Sequence, residues 1–209
     1  MADQVWLPDG TEAWVLPLLH SDRERFVEEF EALSPDSRRR RFLSPVVHLS
    51  DALLQSLVDD VDGIDHVALV LFAATDADDF EPVAIGRMVR YPDLPDAADI
   101  AVTVKDSWQG RGVASALLPV LLERRPAGVT HVLTEVAADN PASLAMLHKL
   151  GPVTRTPTGH GGYDVEVDLV GAGPRHPSAE RVGHRLHPVL EEPWRLLLRQ
   201  RDRVCPWLQ

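Results

Sequence analysis

The sequence predicts an α/β domain with a mixed, mainly antiparallel central sheet flanked by helices. Three consecutive segments with strand character are joined by short, turn-rich stretches, as in an antiparallel meander: Val67–Ala74, Pro82–Tyr91 and Ala97–Val104. A strand–helix–strand unit follows, and a helical crossover of that kind joins parallel strands. The chain has 209 residues, 44% of them hydrophobic, which suits one compact domain with an appendage.

The segment before the meander is predicted to form one strand and three helices. The strand is Thr11–Leu16, and Ser21-Asp22 then caps a helix whose apolar residues keep helical spacing: Phe26, Val27, Phe30 and Leu33. Ser34-Pro35 begins a second helix that ends near Phe42, and Ser50-Asp51 begins a third. The second helix carries four consecutive arginines, Arg38 to Arg41. A solvated helix face explains such a run, and contact with an acidic ligand or a cofactor phosphate is the alternative.

The segment after the meander completes the domain. A helix is predicted from Gly112 to Arg125 with a kink at Pro119, then a strand from Val129 to Val136. A helix beginning at Asn140-Pro141 and a strand from Tyr163 to Leu169 follow. Residues 1–170 thus form the domain, and 171–209 form an extension with a helix near 177–199. Its tryptophans and leucines are expected to pack on the domain or on a partner chain, which would make a homodimer.

Charge and composition exclude several classes of function. The net charge of −11 opposes binding to a nucleic-acid backbone. No apolar stretch approaches the roughly 20 residues that span a bilayer, so we expect no membrane segment. The N-terminus lacks a signal pattern and Cys205 is the single cysteine, which favours the cytoplasm. His184 and His187 have no Cys or acidic neighbour at ligand spacing, so no metal is expected.

A glycine-containing loop lies between the strand that ends at Val104 and the next helix. It is Gln109-Gly110-Arg111-Gly112-Val113-Ala114. Glycines let a chain approach a bulky anion, and a helix N-terminus adds free N–H groups and about half a unit of positive charge. This arrangement predicts a pyrophosphate site.

Other phosphate-binding loops compete with this interpretation. A Walker loop is excluded because no Gly-Lys-Ser/Thr sequence occurs. A dinucleotide-binding loop is a second alternative, since Glu135 lies about 20 residues beyond the glycines at a strand end. Ser115 at the third glycine position and the preceding meander argue against it. An ordinary tight turn is a third alternative.

The loop resembles the pyrophosphate loop of the GNAT acetyltransferase superfamily, Gln/Arg-x-x-Gly-x-Gly/Ala. The stretch from Glu135 to Asn140, followed by Leu150-Gly151, resembles the second motif of that family. The resemblance covers roughly residues 11 to 170. The stretches 33–38 and 104–114 are also similar to actinobacterial Pat-type protein lysine acetyltransferase domains.

The resemblance implies a GNAT fold and a site for acetyl-CoA. Backbone groups of one strand would pair with the pantetheine arm, the loop would hold the pyrophosphate, and an asparagine would lie near the thiol. The residues concerned are Val102, Thr103, Val104, Gln109, Gly110, Arg111, Gly112, Val113, Ala114, Ser115 and Asn140. A role only as helix N-cap is the alternative for Asn140.

The resemblance also implies an N-acetyltransferase that moves an acetyl group directly to a primary amine. Such an amine has a pKa near 10.4 and must lose a proton first. Asp99 occupies the place where Pat-type sequences carry an acid for this task, and Glu135 is the second candidate. The alternative for each is a solvated acid at a strand end. Many members carry a tyrosine where this chain has Leu147.

The acceptor is expected to be a protein lysine, with a small-molecule amine as the alternative. A CoA-binding module without catalytic activity is a further alternative, because the tyrosine is absent.

Overall fold

The computed structural model describes residues 2–43, 46–75, 79–159 and 161–171. The predicted helix near 177–199, and all of the extension beyond Gly171, lie outside the described residues. The described part contains eight strands: β1 (Asp3–Trp6), β2 (Glu12–Pro17), β3 (His66–Ala74), β4 (Phe80–Tyr91), β5 (Leu94–Val104), β6 (His131–Ala137), β7 (Val153–Pro157) and β8 (Gly162–Asp168). It also contains five α-helices: α1 (Arg23–Glu31), α2 (Pro35–Phe42), α3 (Asp51–Leu54), α4 (Val113–Glu123) and α5 (Pro141–Leu147).

The eight strands form one sheet in the order β1-β2-β3-β4-β5-β6-β8-β7. Only β5 and β6 are parallel, and every other neighbouring pair is antiparallel. The predicted α/β class with a mixed, mainly antiparallel sheet is therefore confirmed. Two edge strands, β1 and β7, were not predicted. Both are short, and β7 is mostly exposed, so neither shows a clear apolar alternation.

Each face of the sheet has its own apolar core. One core lies under α4 and includes Ile100 and Leu117, and the other lies under the first three helices and includes Phe30 and Leu57. Alternation along β5 directs Val102 and Val104 toward the first core and Asp99, Ala101 and Thr103 toward the other face. Strand β5 therefore presents an apolar face to one core and an acid to the other side of the sheet.

Local sequence signals begin α2, α3 and α5 as expected, whereas α1 begins after Asp22 without the predicted side-chain cap. The Ser34 hydroxyl accepts a hydrogen bond of 3.2 Å from the Ser37 amide, with Pro35 at the first helical position. Helix α4 continues through Pro119, whose ring is exposed, as far as Glu123. Helix α3 continues as a π-helical turn, Gln55–Asp59. Among the described residues, no helix has the length and apolar content needed to cross a membrane.

Candidate functional site

The sheet opens where β5 and β6 diverge. Their ladder consists of Ala97 with His131 and Ala98 with Val132, after which β6 continues beside β8. The Thr134 hydroxyl donates to the carbonyl of Ile100 at 3.4 Å, at the base of the opening. Beyond this point the edge of β5 faces a cleft in place of a neighbouring strand. An extended ligand can therefore lie along β5 as a substitute strand.

The register of β5 determines which backbone groups face this cleft. Lys105 donates its amide to Val83 of β4, and in an antiparallel ladder such pairs recur at every second residue. By the same alternation, the N–H and C=O groups of Thr103 pair with Ile85 of β4, whereas those of Val102 and Val104 face the cleft. The expected backbone contact from Thr103 is thus corrected, because β4 already uses those groups.

The loop after β5 has the geometry of an anion site. Gly110 and Gly112 have φ angles of +77° and +82°, which favour glycine. The first amide bonded within α4 is that of Ala116, which donates to Gly112 at 3.0 Å. The amides of Val113, Ala114 and Ser115 therefore have no partner within the helix. Gly112 supplies no side-chain cap, so these three donors can bind a phosphate.

The two glycines serve different purposes. A Cβ atom on Gly112 would lie 2.6 Å from the ring of Pro8, so Gly112 is needed for packing against the loop after β1. A Cβ atom on Gly110 would meet nothing within 4 Å. Gly110 thus lies against open space beside the free amides. The tight-turn interpretation holds for Gly112, whereas at Gly110 the loop leaves room for a ligand.

Two polar residues of the loop are held by the rest of the protein. The Gln109 side-chain amide donates to the carbonyl of Val104 at 3.2 Å and to the hydroxyl of Ser37 at 3.1 Å. Arg111 pairs with Asp9 at 2.8 Å and lies over the ring of Trp108. Hydrogen bonds from Thr11 and Arg111 lower the pKa of Asp9 below its usual range. Arg111 therefore fixes the loop, and its guanidinium already has an acidic partner.

Lys149 is a residue that sequence reasoning missed. Its ammonium group donates to the Ser115 hydroxyl at 2.8 Å, which places a positive charge beside the first turn of α4. The sequence offered one faint signal, a lysine directly before Leu150-Gly151. Only the folded chain, which brings the turn after α5 to the start of α4, shows that this lysine reaches the anion site.

Asn140 caps α5 from a buried position. Its side-chain oxygen accepts a hydrogen bond of 3.2 Å from the Ser143 amide. Next to it, Asp139 pairs with Arg39 of α2 at 2.8 Å, and the hydrogen bond from Arg39 lowers the pKa of Asp139. The N-cap role of Asn140 is thus seen directly. The Asp139–Arg39 pair ties the segment that leads into α5 to the second helix.

The two candidate bases differ in their surroundings. Asp99 and Glu135 point to the same face of the sheet, because Ala97 and His131 are paired and the alternation runs on from them. Asp99 is only 1% exposed, whereas Glu135 is exposed. Asp99 is therefore not a solvated strand-end acid, whereas the Glu135 side chain is open to solvent.

A cavity of about 110 Å³ lies on that same face, between the sheet and the first two helices. We call it the α1–α2 cavity. Most of its walls are apolar: Phe26, Phe30, Leu57, Val70, Phe72 and Ile85. Its polar lining consists of Asp22, Arg25, Glu29, Arg41, Arg87, Thr103 and Lys105. The cavity suits the alkyl chain of a ligand that carries a polar end group.

Helix α2 covers this cavity and is anchored to the loop that precedes Gln109. The Asp106 carboxylate accepts hydrogen bonds from the Ser34 amide and from the hydroxyls of Ser34 and Ser37, at 2.8–2.9 Å. Burial raises the pKa of Asp106, but these hydrogen bonds outweigh burial and lower it. The anion loop and the cover of the cavity are therefore held by one network.

A profile of the acetyltransferase (GNAT) family matches residues 24–151 of the chain. The chain belongs to the GNAT acetyltransferase family. Acetyltransferases of this family take the acetyl group from acetyl-CoA. The match includes both the diverging strands and the glycine loop.

Three curated relatives are acetyltransferases. One from Pseudomonas aeruginosa is 34% identical over 119 residues, covering 56% of this chain and 61% of the relative. The acetyltransferase Pat of Mycolicibacterium smegmatis is 32% identical, covering 69% of this chain and 42% of Pat. The L-2,4-diaminobutyric acid acetyltransferase of Nocardia farcinica is 42% identical, covering 30% of this chain and 35% of that enzyme. The matches thus span less than two thirds of each relative.

Solved structures agree with the assignment. The GNAT domain of S. lividans PAT is 31% identical with a TM-score of 0.66, covering 80% of this chain and 97% of that domain. A putative acetyltransferase from Salmonella typhimurium, solved with acetyl-CoA, is 16% identical with a TM-score of 0.56, covering 79% and 99%. The second likeness shows the fold alone.

The chain differs from many GNAT members at one position of α5. Leu147, at the place where many members carry a tyrosine, is 1% exposed and packs in the core under α4. Its side chain therefore supplies no proton donor. His148, its neighbour, is exposed at the end of α5.

Proposed function

We propose that this GNAT protein transfers an acetyl group from acetyl-CoA to a primary amine, with a protein lysine as the acceptor. The observation that carries the proposal is the combination on one molecule of an opened β5 edge, a helix start with free amides, and a buried acid on the face of the α1–α2 cavity. A family member that lacked any of these would have no place for donor, phosphate or amine.

The residues present fit the donor. Backbone groups of Val102 and Val104 would pair with the pantetheine arm along the cleft. The free amides from Val113 to Ser115 would hold the pyrophosphate, and Lys149 would add positive charge beside it. When bound, acetyl-CoA supplies the acetyl group as an activated thioester.

The acceptor amine must reach the acetyl group without its extra proton. We assign Asp99 as the group that accepts this proton, directly or through one water, because it is the buried acid on the cavity face. The apolar walls of the α1–α2 cavity would hold the alkyl chain of the amine and exclude bulk water. Glu135 lies on the same face but is exposed, which makes it the weaker candidate.

A lysine side chain is supported by the two Pat-type relatives, one curated and one solved. A small-molecule amine is the second candidate, favoured by the small size of the α1–α2 cavity and by the relative named for diaminobutyric acid.

Mass spectrometry separates the two acceptors. The purified chain is incubated with acetyl-CoA and a lysine peptide, and in parallel with the same peptide carrying arginine instead. The proposal predicts acetylation on the lysine peptide only. Acetylation of free diamino acids without any acetylated peptide would assign the small-molecule function instead.

A further inference from the structure

A cluster of buried charges lies beneath α2 and behind the α1–α2 cavity. Arg87 of β4 and Asp99 of β5 are 2% and 1% exposed. They point to the same face of the sheet, because Arg87 pairs with Ala101, two residues from Asp99. Arg41 extends from α2 toward them, and its charge and that of Asp99 interact. The solvated-face interpretation of the arginine run is therefore wrong for Arg41.

The two arginines are held differently. Arg87 donates to the carbonyl of Leu57 at 3.0 Å and to Nε2 of His66 at 3.2 Å. Since a guanidinium only donates, this His66 nitrogen accepts and carries no proton. Arg41 is partly exposed as a residue, yet both its terminal nitrogens are buried without a hydrogen-bond partner among the described residues. Burial lowers the pKa of Arg41 to about 10, although the charge of Asp99 raises it.

The charges around the cavity are unevenly distributed. Elsewhere in the lining, Lys105 pairs with Glu29 at 2.8 Å and also contacts Glu81 at 3.5 Å, and Asp22 and Arg25 contribute one charge of each sign. At the inner side, the described residues place two guanidinium groups, of Arg41 and Arg87, near one carboxylate, that of Asp99. The neighbouring Arg38 of α2 turns away toward Phe30 and donates to the carbonyl of Val47.

Counted over the part of the chain that the structure describes, the inner end of the cavity therefore carries one excess positive charge in an apolar surrounding. An ammonium group placed there is repelled, because a like charge disfavours the charged form. We propose that Arg41, together with Arg87, disfavours the ammonium form of the bound acceptor amine and so shares with Asp99 the task of making that amine neutral. The step releases one proton from the ammonium, which Asp99 or water accepts, and the nitrogen retains its lone pair for bond formation. This inference rests on the proposed function.

The test is the pH dependence of the single-turnover rate at saturating acetyl-CoA and amine, because that rate reports groups in the bound complex. Arg41→Met removes the positive charge. We expect it to shift the acidic limb of the pH–rate profile to higher pH by about one unit, which is the size of the interaction between two charges several ångströms apart. Arg41→Lys keeps the charge and should restore the limb. Arg40→Met is the matched control: Arg40 is exposed, pairs with Asp36 at 2.9 Å and should leave the limb in place.

The outcomes are distinguishable. An unchanged limb in a folded Arg41→Met protein would overturn the inference while leaving acetyl transfer intact. Absence of transfer in the wild-type protein would instead defeat the proposed function. If the Arg41→Met protein does not fold, the pH–rate profile of the wild-type protein serves as the test. The midpoint of the acidic limb in the wild-type profile is expected below the solution pKa of the acceptor amine. A midpoint at or above that pKa contradicts the inference.

Discussion

At the scale of single residues, two features of its surroundings distinguish Asp99. It points to the face of the sheet on which the α1–α2 cavity lies, and among the residues described it is the acid whose charge acts on the buried guanidinium groups of Arg41 and Arg87. As the proposed base, Asp99 would act beside positive charge. In that proposal the positioned carboxylate and the buried guanidinium groups together determine how easily the amine becomes neutral.

Replacing Asp99 by Asn keeps the shape and removes the base. We expect turnover at neutral pH to fall by about 10²–10⁴-fold, the usual contribution of a positioned base. The defect should shrink as pH rises, because more of the amine then arrives neutral. The free energy of unfolding should also fall by about 1–3 kcal/mol, since two buried cations lose their acid. Rates are therefore measured well below the melting temperature.

Glu135→Gln is the control for this substitution. Glu135 is exposed on the same face, so its loss should change turnover little. Near-normal turnover in Asp99→Asn together with a large loss in Glu135→Gln would reverse the two roles.

At the scale of elements, the start of α4 is the part of the donor site most open to a direct test. Gly112 is unsuitable for substitution, because any side chain there would collide with Pro8. Ser115 is exposed in the first turn, where glutamate is well tolerated by a helix. A negative charge at this point would compete with a bound pyrophosphate.

Ser115→Glu is expected to weaken acetyl-CoA binding by about tenfold or more in calorimetry, since each charge near a helix start is worth about 1 kcal/mol and repulsion from the ligand adds to it. Ser115→Gln has the same size without the charge and should bind nearly as well as the wild-type protein. Equal loss in both variants would point to the lost Lys149 contact instead of charge.

Sequence patterns predict the elements whose signals are local. Ser34-Pro35 and Asn140-Pro141 begin α2 and α5 because capping depends on neighbouring residues. The glycine loop was predicted for the same reason. The cluster of Arg41, Arg87 and Asp99 was not, because it joins three elements far apart in the chain. Even β7 becomes a strand only by pairing with β8.

At the scale of the whole molecule, the turn after α5 fixes how the last strands close the sheet. A Cβ atom on Gly151 would lie 2.0 Å from the backbone oxygen of Asp168 in β8. A backbone atom cannot rotate away, so the two segments must separate. Gly151 is therefore a requirement of packing.

Gly151→Ala should lower the free energy of unfolding by about 1–3 kcal/mol, the typical effect of overpacking. Chemical denaturation followed by circular dichroism measures it. Ala138→Gly, at an exposed site in the segment before α5, is a comparison in which removing a methyl group should change stability by less. A Gly151→Ala protein as stable as the wild type would show that β8 can shift without penalty.

The central claim is that this protein catalyses acetyl transfer and is more than a binder of CoA. The most direct measurement is the release of free CoA thiol from acetyl-CoA, with and without lysine peptides and small amines. The account predicts release that depends on the amine, saturates with it, and falls by about 10²–10⁴-fold in Asp99→Asn. Tight binding of acetyl-CoA in calorimetry, with no amine-dependent release of thiol by the wild-type protein, would contradict it.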